Sequence, residues 1–160
     1  MKPLSPDLIR ASFLNVSVRE RKGIVLPDLA ATRWDALDYL GWRDPKQPQL
    51  GYVVAEVEGE AVGFLLRQGD QPPGAKAQCS WCEDVQLPNP VVFFSAKRAG
   101  EAGRRGDTIG SLVCAAFECS ANVRKLPTLA YLGFDREAER ERRILVLREH
   151  VANFAANLRG

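Results

Sequence analysis

Apolar residues in the first fifty positions follow a helical beat. Ser5-Pro6 reads as an N-cap with proline at the first helical position, and Leu8, Ile9, Phe13 and Val16 supply an apolar stripe. Pro27-Asp28 predicts the start of a second helix, with Leu29, Ala30, Trp34, Leu37 and Leu40 on one face and Gly41 as its stop. A loop follows from Pro45 to Pro48. The beat then changes to period two. Tyr52–Glu58 and Ala61–Arg67 predict a β-hairpin around Glu58-Gly59-Glu60, with Val53, Ala55 and Val57 on one buried face. Gly69 to Gly74 reads as a loop, and Val91–Lys97 with Ile109–Val113 as a second hairpin. Between those strands, Ala99 to Gly110 is glycine-rich and charged, which predicts a mobile tip. Ser120–Leu126 reads as a short helix stopped by Pro127.

The last element is the most regular. Asp135 is placed to cap a long helix reaching about Leu158, whose seam is Ile144, Leu147, Val151, Phe154 and Leu158. Glu139 and Arg143 are spaced for an i,i+4 ion pair on its wet side. Trp34, Tyr39 and Trp42 read as core or hairpin-facing anchors. The fold class expected is α+β. N-terminal helices and a hairpin (residues 1–70) precede a metal-bearing β region and C-terminal helix (residues 71–160), together forming one compact unit.

Bulk properties narrow the function little. Of 160 residues, 46% are hydrophobic and 26% charged, which fits a globular protein rather than a disordered one. A net charge of +2 is too small to mark a nucleic-acid binder by itself. The N-terminus lacks a signal-peptide core and no run of eighteen apolar residues occurs, so a cytoplasmic chain with no membrane span is expected. Arginine outnumbers lysine, a composition in keeping with a GC-rich bacterial genome.

The four cysteines change the picture. They fall as two pairs, Cys79-x-x-Cys82 and Cys114-x4-Cys119. In a reducing cytosol such pairs favour a metal over disulfides. The first pair forms a knuckle that aims two sulfurs at one point, and the second is long enough to cross from a strand end into the first turn of a helix. Knuckle, hairpin and ligand-bearing helix form the treble-clef plan, with one structural zinc held by Cys79, Cys82, Cys114 and Cys119. A redox Cys-x-x-Cys lacks its βαβ context here. Four thiolates leave no open position for substrate, so no enzyme and no small-molecule substrate are expected. A zinc hydrolase or deaminase, with Glu83 or Glu118 as its acid–base group, would need an open position. Gly100, Gly103 and Gly106 lack the Gly-Lys-Ser/Thr ending of a phosphate loop. His150 has no second histidine to support a metal role and reads as a helix-packing residue or a favourable charge near the helix C-terminus.

Three longer phrases carry a resemblance: Cys79-Ser80-Trp81-Cys82-Glu83-Asp84, Phe93-Phe94-Ser95-Ala96-Lys97-Arg98, and Gly110 through Cys114 and Cys119 to Ser120-Ala121-Asn122-Val123-Arg124. Spanning roughly Gln78 to Leu126, they resemble the C-terminal treble-clef zinc finger of the elongation factor G-binding proteins, a family that includes the fusidic-acid resistance proteins. The resemblance implies a zinc protein that docks on the tip domain of elongation factor G. In the resistance members, docking promotes release of the factor from the ribosome. This chain is shorter, and its first seventy residues read as two helices and a hairpin where those proteins carry a four-helix bundle.

Candidate partner contacts are Trp81, Phe94, Lys97, Arg98, Arg104, Arg105, Arg124 and Lys125. Trp81, between two ligands, is either a lid on the metal site or an exposed aromatic anchor. The basic residues at the hairpin tip and after the last cysteine are expected to share one face that steers an acidic partner. A ribosome- or RNA-binding zinc finger is the rival reading.

Overall fold

The structure, a computed structural model, describes residues 1–70, 77–84 and 89–159. Most of the expected loop from Gly69 to Gly74 lies outside them. In chain order, α1 (Pro6–Ala11) and α2 (Val18–Gly23) lead through a 3-10 turn (Trp34–Ala36) to strand β1 (Tyr39–Arg43). Strands β2 (Leu50–Val57), β3 (Glu60–Gln68) and β4 (Val91–Lys97) follow, then α3 (Gly100–Arg104) and β5 (Thr108–Cys114). Helices α4 (Cys119–Val123) and α5 (Arg136–Arg159) end the chain.

The strands form one antiparallel meander in the order β1-β2-β3-β4-β5. It runs across residue 70, because Arg67 pairs with Ser95 and Gln68 with Phe94. Two cores sandwich it. On one face Val53, Ala55, Phe64 and Leu66 pack against the four cysteines and the α5 seam of Ile144, Leu147, Val151, Phe154 and Leu158. On the other, Leu40, Trp42, Tyr52 and Val54 pack against Ile9, Phe13 and Ile24 from the N-terminal segment. Strand β2 is therefore covered on both sides, whereas its alternation predicted one buried face.

The first helix starts where expected: the Ser5 side chain accepts from Leu8 N and Pro6 opens the helix. The second does not. Asp28 accepts from the amides of Ala30 and Ala31 in a local turn, and no helix propagates from it. Residues Tyr39–Arg43 are instead a strand, pairing Leu40 with Val54 and Trp42 with Tyr52. Tyr39 enters one core while Leu40 and Trp42 enter the other, so strand pairing overrides the helical spacing. A helix does form earlier, at Val18–Gly23, fixed by a reciprocal capping box between Ser17 and Glu20.

Two further expectations are corrected. The tip between β4 and β5 contains the ordered helix α3, not only a glycine-rich turn. Glu139 pairs bidentately with Arg142 at 2.7 and 2.8 Å, while Arg143 reaches Asp84 at 2.7 Å and ties α5 to the segment after the first cysteine pair. Asp135 does cap α5, accepting from Glu137 N and Ala138 N. Where β3 and β4 diverge, Asn15 fills the gap. Its side chain exchanges hydrogen bonds with both backbone groups of Leu65 and donates to Lys97 O.

Candidate metal centre

Each ligand is held by backbone chemistry. In the first knuckle, Glu83 N donates to Cys79 O at 2.8 Å, closing the turn, and Glu83 takes a positive φ of 54°. Ser80 N donates to Leu112 O at 2.8 Å, which docks the knuckle on β5. Cys114 ends β5, opposite Val91. From there Phe117 N returns to Cys114 O at 3.0 Å with Phe117 at φ 61°, and Cys119 opens α4.

The four sulfurs lie within 4.8 Å of one another and all four residues are buried. Cys79 and Cys119 sulfurs are 3.6 Å apart, and those of Cys82 and Cys114 are 3.7 Å apart. A tetrahedron with Zn–S bonds of about 2.3 Å has edges of about 3.8 Å, so the cluster has the dimensions zinc demands. These separations are far from the S–S bond of about 2.0 Å in a disulfide. Without a cation the thiols cannot ionise together. Hydrogen bonds from Cys114, Cys119 and Cys82 hold Cys79 well below the usual thiol range. Bonds to Cys114, Cys79 and Cys82, with burial, push Cys119 well above it. A divalent soft-ligand metal removes that conflict. Asn122 Nδ2 lies 3.5 Å from Cys114 Sγ and supplies a donor to the thiolate.

Aromatic packing binds the centre to the sheet. Trp81 is 2% exposed, edge-on to Tyr39 at 5.4 Å and to Phe154 at 5.6 Å. Its indole is core, which corrects its candidacy as an exposed anchor. Phe94 is fully buried and stacks on Phe117 at 5.3 Å, with the Arg43 guanidinium 4.5 Å above its ring, so it too is excluded as a surface contact. Phe117 lies over Gly41 and Gly51, where an added Cβ would stand 2.7 and 2.5 Å from its atoms. Gly41 is thus a seat for the second knuckle, not a helix stop. Arg43 Nε donates to Ala115 O at 2.6 Å and clamps the same turn. His150 Nδ1 lies 3.1 Å from Trp81 O, joining α5 to the first knuckle.

Within the Ser120–Arg124 phrase, Ser120, Asn122 and Val123 are buried. Ser120 Oγ accepts from Asp38 N at 3.0 Å. Arg124 makes a bidentate pair with the fully buried Asp38 carboxylate, which Arg148 Nε also reaches at 2.9 Å. Arg124 therefore ties the end of α4 to the turn that leads into β1. Asp38 and Arg148 carried no sequence signal, since their partners are 86 and 110 positions away.

The expected single basic face is also corrected. Lys125 O receives Arg143 near the start of α5, whereas Arg98 bonds Asn157 O near its end. Those points are about 20 Å apart at roughly 1.5 Å per helical residue. Lys97, Arg98, Arg104 and Arg105 therefore form one group and Lys125 belongs to another.

Knuckle, hairpin and ligand-bearing helix around a closed tetrathiolate define a treble-clef zinc finger, with Cys79, Cys82, Cys114 and Cys119 holding one structural zinc. The chain belongs to the FBP C-terminal treble-clef zinc-finger family, whose model matches residues 8–158. The match extends far beyond Gln78–Leu126, so the N-terminal helices and the first hairpin are part of the family's domain. A search of curated proteins finds no match.

Proposed function

We propose that this chain is a non-catalytic docking protein that recognises elongation factor G and modulates its turnover on the ribosome. Family membership supports the partner. The closed thiolate set supports the absence of catalysis, since it leaves no position for water or substrate. The observation that carries the docking reading is the loop from α4 to α5. There Leu126, Leu129, Tyr131 and Leu132 stand 44%, 69%, 67% and 104% exposed, an unusual concentration of apolar side chains in water. The loop is not slack. Arg136 Nε donates to Pro127 O at 2.6 Å, Phe134 N closes a turn on Tyr131 O, and the two rings meet edge-on at 5.4 Å. It leads from the zinc-bearing helix, with Lys125 at its start and Arg136 at its end. An apolar aromatic centre with a basic rim suits an acidic partner, and its rigidity lowers the ordering penalty on association.

Calorimetric titration of elongation factor G against the wild type and a Leu129→Ser, Tyr131→Ser, Leu132→Ser variant tests this. Affinity is expected to fall at least tenfold with the melting temperature unchanged. Unaltered affinity would remove the loop from the interface, and no binding by the wild type would refute the partner.

A further inference from the structure

The N-terminal segment covers β1, β2 and part of β3, and then stops at Asn15 in the gap between β3 and β4. Beyond that point the described residues leave the same face of the sheet open. It carries Phe93, 47% exposed, with Leu112 directly opposite on β5. Both neighbouring backbones beside the Phe93 ring are glycines. An added Cβ at Gly110 would stand 2.2 Å from the ring, and one at Gly69 would stand 3.5 Å away. The ring thus rests on bare strand, with its outer side toward water.

Two exposed cations, Arg67 and Lys97, stand on this face, with the Glu20 carboxylate within their field. Ser95 pairs with Arg67 on one side and Gly110 on the other, and Lys97 follows two residues later, pointing the same way. Arg67 and Lys97 are exposed, and strands β4 and β5 contain no acidic residue. The field of both cations reaches Glu20, whose carboxylate is already held by the Ser17 amide. From Lys97 the path continues into a shallow groove lined by Arg98 and Arg104. Phe93 and Lys97 are about 13 Å apart at roughly 3.3 Å per strand residue. That distance accommodates a stacked base and the phosphates that follow it.

We propose that this open sheet face binds single-stranded nucleic acid, with a base stacked on Phe93 and the backbone tracking Arg67, Lys97 and Arg104. An aromatic on a sheet surface beside a basic track is the arrangement by which single strands are held with little sequence preference. A protein partner would need apolar surface broader than Phe93 and Leu112 supply. The site shares no residue with the Leu129 loop, and its basic end lies at the far end of α5 from that loop, where Arg98 bonds Asn157 O.

Fluorescence anisotropy with labelled uridine and thymidine oligomers of about twelve nucleotides, at roughly 50 and 200 mM salt, tests the proposal. Phe93→Leu keeps an apolar cover on Gly110 but removes the π face, and is expected to weaken binding about tenfold at both salts. Phe93→Trp is expected to restore it. Lys97→Ala is expected to lower affinity and reduce the salt slope by about one. Absence of binding at the lower salt would overturn the proposal. So would a Phe93→Leu variant that binds as the wild type does, which would reduce the contact to diffuse charge. If Phe93→Leu instead weakens elongation factor G binding while oligomers do not bind, the face is a protein interface and the proposal fails.

Discussion

Trp81 carries an exchange of gains that a substitution can separate. Its ring fills the contact between knuckle, sheet and α5, yet its indole N–H is buried without an acceptor. Leaving such a donor unpaired costs roughly 1–3 kcal/mol. Trp81→Phe is therefore expected to unfold within a few degrees of the wild type, while Trp81→Ala loses about 3–5 kcal/mol in denaturant titration. Gly51 makes a sharper case, because an alanine methyl there would stand 2.5 Å from Phe117 Cζ. Gly51→Ala is expected to displace the second knuckle and speed zinc transfer to a chromogenic chelator, whereas Gly23→Ala, with nothing nearby, leaves the rate unchanged. Asp44 sets an acid limb. Burial pushes its carboxyl up, but the amides of Lys46 and Gln47 and the Tyr52 hydroxyl outweigh it, so the pKa lies below the usual range. A depressed folded pKa gives stability that is full above about pH 4 and is lost as pH falls through the folded value. Thermal melts of Asp44→Asn across acid pH are expected to lack that part of the decline.

At the level of elements, the regular signals were legible and the borrowed ones were not. The α5 seam, both hairpins, the Asp135 cap and the cysteine ligands follow from local spacing, since each depends on residues a turn or a strand apart. Strand β1 was hidden. Leu37 and Leu40 fit a helical face as well as a strand, and only pairing with β2 decides between them. Helix α2 buries no side chain, so its evidence was the Ser17–Glu20 box alone. The inward role of Arg124 was equally unreadable, because its partner Asp38 stands 86 residues earlier, just before β1. Burial of Trp81 and Phe94 depends on Tyr39 and Gly41 of β1, Gly51 of β2 and Phe154 of α5 converging from three places in the chain. Breaking the Asp38 tie is expected to loosen α4 from the sheet. Asp38→Asn should raise amide hydrogen exchange across Cys119–Val123 more than across β2.

Taken as a molecule, the protein is a sheet with two unlike covers. The N-terminal cover is held by apolar packing and hydrogen bonds, and the other is organised around the cysteine cluster together with α5. Zinc should contribute on the order of 10 kcal/mol to the second cover. Acid reverses that contribution, since metal-held thiolates must regain protons as pH falls. Among the described residues no helix is long and apolar enough to cross a membrane. Among the described residues, exposed apolar side chains include those of the loop after α4 and Phe93 on the open sheet face.

The most direct test is zinc-edge X-ray absorption on the tag-free protein, joined to a chelator titration followed by circular dichroism. One zinc per chain with four sulfur neighbours at about 2.3 Å, and loss of the cooperative melt when it is withdrawn, is the predicted result. Nitrogen or oxygen in the shell, less than one metal per chain, or an unchanged melt after chelation would contradict the account.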